Sequence, residues 1–153
     1  MTDPKRTAYT QSLRVLADLQ DAHPDLPLPY ATAYGSGKVE VYWFLHINDL
    51  EEDLPGQKTT AAQIVSTIGG KWDKREGLFD NTRYEFTQSR DGLFLEVVVN
   101  RAAVCERVVI GTHEVTVSAI PKIPARRATP ERVETVEDVQ WVCSSLLAES
   151  VTA

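Results

Sequence analysis

The sequence predicts an α+β fold: an antiparallel sheet with two helices packed on one face, followed by a long C-terminal β-hairpin arm. Three observations carry this. Apolar residues recur at helical spacing in two stretches and at strand spacing in several others. After Arg101 the chain changes texture, into two β-branched runs separated by a proline-rich, basic segment. The core is therefore expected over residues 1–101 and the arm, closed by a short helix, over 102–153.

The first helix is expected over residues 4–22. Asp3-Pro4 supplies an N-cap and a first-turn proline, and Tyr9, Leu13, Leu16, Ala17 and Leu19 repeat at helical spacing. Pro24 ends it, and the prolines of "HPDLPLPY" force an extended link. "YATAYGSGKVEVYWFLHIND" reads as a hairpin turning at Gly35-Ser36-Gly37. Val39, Val41, Trp43, Leu45 and Ile47 alternate on one face, with Tyr42, Phe44 and His46 on the other, which marks a central strand.

"DLEEDLPGQK" reads as an acidic loop. The second helix is expected to open with a capping box from Thr60 to Gln63 and to close at Gly69-Gly70, with Ala61, Ile64, Val65 and Ile68 as its apolar face. Three strands then follow as a meander: "KWDKRE", a turn through "GLFDN", "TRYEFTQ", the Asp91-Gly92 turn, and "LFLEVVVNR". "AAVCERVVIGTHEVTVSAI" and "RVETVEDVQWVC" form the arm, and "SSLLAES" its closing helix.

The chain has 153 residues, 42% hydrophobic and 25% charged, which is the composition of a globular protein rather than a disordered one. A net charge of −6 and a pI of 5.1 argue against a surface that grips nucleic acid all over. The longest apolar run, Val41–Leu45, is strand-sized, so no membrane span or membrane partner is expected. "MTDPKRTAYTQSL" has basic residues with no apolar segment behind them, so no secretory signal is read and a cytoplasmic location is expected. Two cysteines in that setting are expected to be reduced thiols.

Chemistry-bearing residues are sparse. If the arm strands pair about a tip near residues 124–126, Cys105 falls opposite residues 143–147 and close to Cys143. His113 then lies about 26 Å along the strand from Cys105, unless Gly111 bends it. No Cys or His pair has the close spacing that zinc ligands use, so neither a metal nor any other cofactor is expected. Cys105 lacks an adjacent base, which leaves buried, reduced thiols as the reading. "YGSGK" lacks phosphate-loop spacing and is a turn. Asp49, Glu51, Glu52 and Asp53 miss the calcium-loop pattern, because Gly56 comes one place late and Thr60 stands where a glutamate is needed. His23 sits at a helix end and His46 on a sheet face.

The segment that stands out is "IPKIPARRATPER". Its prolines keep it extended at low entropic cost, and Lys122, Arg126, Arg127 and Arg132 put positive charge on an otherwise acidic chain. With Trp141 as an anchor, these five residues form the candidate partner-binding set.

"LADLQDAHPDLPLPY", the Gly-Gly-x-Trp after the second helix, "VCERVVIGTHEV" and "VETVEDVQWVCSSLLAE" resemble uncharacterised proteins of actinobacteria and their phages. The resemblance implies a phage or prophage origin and a small protein that binds a host or phage component; it carries no catalytic residue. The expected function is thus that of a non-enzymatic accessory protein, working through protein–protein contact and self-association as a homodimer. The alternative is a nucleic-acid-binding accessory protein whose basic tip touches phosphates.

Overall fold

A computed structural model describes residues 3–34, 37–47, 50–76, 82–119 and 130–143. Gly35-Ser36, the turn at 77–81, the arm tip at 120–129 and the expected closing helix at 144–150 lie outside the described residues. The fold is α+β. One compact unit ends at Val104, and Cys105–Cys143 forms a second.

In the first unit, α1 (Pro4–Ala22), β1 (Tyr30–Ala33), β2 (Val39–Phe44), α2 (Leu54–Ile68), β3 (Asp73–Glu76), β4 (Arg83–Arg90) and β5 (Leu93–Asn100) follow in order, closed by the single turn α3 (Arg101–Val104). The five strands form one sheet in the order β1-β2-β5-β4-β3. Three of its pairings are antiparallel, and β2–β5 is parallel. That exception to the expected antiparallel sheet follows from connectivity. A chain that leaves β2, forms α2 and returns through β3 and β4 brings β5 alongside β2 in the same direction.

Strict alternation sorts the sheet into two faces. Val39, Val41 and Trp43 of β2, Leu95, Val97 and Val99 of β5, and Phe86 of β4 are buried on one face. The apolar stripe of α2 covers them: Ala61, Ile64, Val65 and Ile68 are all buried, as its spacing predicts. Ile47 lies beyond β2 and stays 40% exposed, so the core face ends at Leu45. The carboxyl end of α2 is capped by side chains from the neighbouring strand: Arg90 donates to Ile68 O at 2.9 Å and Gln88 to Gly69 O at 2.9 Å. These satisfy carbonyls that the helix itself leaves unpaired.

The amino end of α2 departs from expectation. The helix starts at Leu54, six residues before Thr60, because Asp53 caps it by accepting from Gly56 N and Pro55 sits in its first turn. The acidic loop therefore ends as a helix cap, and the Thr60–Gln63 pair lies inside the helix.

α1 matches its expected span, with Asp3 accepting from Lys5 N at 3.0 Å. Its described contact with the sheet is made by a small residue. Ser12 is buried and donates to Ala8 O at 2.9 Å, and its Oγ lies 2.5 Å from where a Cβ on Gly92 would stand. Asp91 and Gly92 have φ of 50° and 81°, the two-residue turn that joins Arg90 to its partner Leu93. Gly92→Ala is expected to lower stability by about 1–2 kcal/mol, through positive φ and the clash with Ser12. Thermal unfolding measures it; an unchanged midpoint contradicts it.

The second unit is a two-stranded sheet of β6 (Cys105–Val117) and β7 (Arg132–Cys143). Cys105 stands directly opposite Cys143, and the register slips by one between Val109 and Gly111, at the expected bend. The thiol reading is corrected here: Cys105 and Cys143 form a disulfide rather than two reduced thiols. Direct cross-strand register puts the two Cβ atoms side by side, a proximity that an argument from compartment alone does not address.

Candidate interaction surface

Of the residues expected to bind a partner, Lys122, Arg126 and Arg127 lie outside the described residues. Arg132 opens β7 and pairs with Glu134 at 2.6 Å. Trp141 lies near the other end of the strand, opposite Arg107 and half-buried. Nine residues of strand separate Arg132 from Trp141, about 30 Å, and odd spacing places them on opposite faces of the ribbon. The two do not converge.

The arm offers extended surface instead. Cys105 alone among its described residues is buried. Val109, Ile110, Val133 and Val142 are 45%, 65%, 61% and 54% exposed. Polar pairs stitch the ribbon: Arg107 with Glu137 at 2.7 Å, and His113 Nδ1 with Asp138 Oδ1 at 2.8 Å, one step past the bulge. His113 and Cys105 stay apart, and among the described residues no three His, Cys, Asp or Glu side chains gather as a metal site needs.

The sheet presents two further features. Where β2 runs past its last β1 pair, Tyr30 with Tyr42, a groove of about 320 Å³ opens. Tyr42 and Phe44 stack along it at 5.2 Å, and Tyr30 lies 6.2 Å from Phe44. The Tyr42 hydroxyl donates to Glu40, whose carboxyl that bond holds below its ordinary range. Burial and the Glu40 charge push the Tyr42 hydroxyl far upward, so it remains a donor.

Further along the same face, β3, β4 and β5 bring three charged side chains together. Arg75 binds Glu85 at 2.5 Å and Glu96 at 3.3 Å. Glu96 is only 7% exposed. Burial first, and then the charge of Glu85 and a hydrogen bond with it, raise the Glu96 carboxyl to about 7. The pair can hold one proton at neutral pH. Sequence reasoning missed this pair, although a glutamate inside the apolar run "LFLEVVV" is a visible signal.

These features define an α+β protein with a compact first unit and a two-stranded second unit in which Val109, Ile110, Val133 and Val142 are exposed. Compared with protein-family models, curated proteins and solved structures, the chain gives no match. Among the described residues, no helix is long and apolar enough to cross a membrane.

Proposed function

We propose that this chain is a non-enzymatic interaction protein that uses its arm to hold another protein subunit, a second copy of itself in the first place. The observation that carries the reading is the arm's surface: two strands of thirteen and twelve residues with one buried residue between them. An isolated two-stranded hairpin is marginal in water, and exposed valines beside two open strand edges are surface that a partner covers. A host or phage protein is proposed as a further partner.

Nucleic acid is the weaker reading. The described strands of the arm carry five carboxylates (Glu106, Glu114, Glu134, Glu137, Asp138) against two arginines (Arg107, Arg132), a balance that repels phosphates. Cytoplasmic action remains part of the proposal. In that reducing setting the arm acts while the Cys105–Cys143 pair stays oxidised, and its reduction releases the arm.

Deleting residues 120–132 is expected to leave the thermal transition of the core in place while the sedimenting mass falls to that of a monomer. An unchanged mass together with unchanged capture of protein partners would remove the arm from the function.

A further inference from the structure

The groove beside β2 is an aromatic site with exposed carboxylates next to it in the chain. Its walls are Leu28, Tyr30, Tyr42, Phe44, Ile47 and Leu50. Leu28 is 86% exposed and Tyr30 63%, so two of the largest apolar surfaces of the core stand open to water. Carboxylates adjoin it, and one of them, Glu40, also pairs with Lys38 at 3.5 Å. Glu51 and Glu52 follow Leu50 directly and are exposed, and Glu40 sits under Tyr42, held by the Tyr34 hydroxyl at 3.3 Å as well.

Aromatic walls with nearby carboxylates suit one kind of ligand above others: a proline-rich segment carrying basic residues. Such a segment is stiff before it binds, so little entropy is lost, and its rings lie flat on tyrosine and phenylalanine faces. The chain's own sequence contains one, Pro121-Lys122-Ile123-Pro124-Ala125-Arg126-Arg127. Its two prolines stand three residues apart, the repeat length of a polyproline turn, with cations beside and after them in the sequence.

We propose that the groove receives residues Pro121–Arg127 from the arm of a second copy of this chain. The inference rests on the reading of the arm as an interaction element and names what that element reaches. Charge decides the occupant: the most strongly basic stretch of an acidic chain matches the exposed carboxylates that follow the groove wall at Leu50. Each β6 strand spans about 40 Å, enough to carry the tip away from its root to a neighbouring core. Reciprocal exchange gives two identical contacts about a twofold axis and closes the dimer.

Two charge reversals in the full-length chain test this by sedimentation velocity at low ionic strength. One variant carries Arg126→Glu and Arg127→Glu, the other Glu51→Arg and Glu52→Arg. Each alone is expected to self-associate about tenfold more weakly than the wild type. An equimolar mixture is expected to recover wild-type association, because in the mixed dimer both tips again face grooves of opposite charge. Glu51 and Glu52 are exposed, and the thermal transition of the core controls for folding of both variants. Wild-type association by either variant, or a mixture no stronger than its components, overturns the proposal. So does a wild type that stays monomeric at every concentration. If the tip reversal alone weakens association, the arm keeps its role and the groove loses its own; if deletion of the tip changes nothing, the underlying reading fails first.

Discussion

Reduction of the Cys105–Cys143 disulfide is expected to unfold the arm while the core stays intact. The ribbon has little else to hold it. Among its described residues only Cys105 is buried, and its Arg107–Glu137 ion pair and His113–Asp138 hydrogen bond are half-exposed, each worth no more than about 1 kcal/mol. Closing a loop across a sequence separation of 38 residues removes chain entropy from the unfolded arm worth about 4 kcal/mol. That exceeds what an isolated two-stranded hairpin supplies for itself. The core draws on a separate set of contacts, from Leu26 to Val104, that the disulfide does not constrain. Hydrogen exchange in excess dithiol checks it. Amides of β6 and β7 should lose protection while those of β2, β4 and β5 keep theirs, and a Cys105→Ala, Cys143→Ala variant should behave the same without reductant. Arm amides that stay protected in both cases would show that packing, not the covalent link, sustains the ribbon.

Much of this architecture is visible in the sequence, for local reasons. The alternation in "VEVYWF" fixes which side chains of β2 face the core, and Asp91-Gly92 specifies a two-residue turn that admits one register. Symmetric pairing about the proline-rich tip puts Cys105 opposite residues 143–147 and near Cys143; the structure pairs it with Cys143 itself, as a disulfide rather than as thiols. Competition between equivalent local signals obscured the start of α2. Both Asp53 and Thr60 can cap a helix, and the earlier one prevails because Pro55 follows it at once. The parallel β2–β5 pair was hidden because a crossover, rather than any residue pattern, determines it.

The candidate surfaces are less legible because they are assembled from distant parts of the chain. The basic tip can be read directly, as one continuous stretch. The groove requires Leu28 and Tyr30 to meet Phe44 and Leu50, and that depends on where β1 stops pairing with β2. The proton-sharing pair needs residues 75, 85 and 96 on three adjacent strands of one sheet face. No spacing rule within a single segment encodes either arrangement.

Through Glu96 the fold is expected to lose stability between mildly acidic and neutral pH. Its carboxyl is raised from an ordinary 4.5 to about 7, so between those values the folded chain holds a proton that the unfolded chain has released. The sign follows from linkage: stability from the protonated form is fully present below 4.5 and is lost as pH rises through 7. A difference of that size corresponds to about 3 kcal/mol. The groups facing Glu96 fix the direction. Glu85 of β4 repels its charge, Thr87 and Tyr42 crowd it from the neighbouring strands, and Arg75 of β3 offsets only part of the cost because it also binds Glu85 at 2.5 Å. Glu96→Gln replaces the carboxyl with a neutral group of the same shape that can still bond Glu85. Its unfolding midpoint should match the wild type near pH 5 and exceed it at pH 8, with a flatter profile between. If wild type and variant fall in parallel across that range, the proton resides elsewhere and the Glu85–Glu96 pair is ionised throughout.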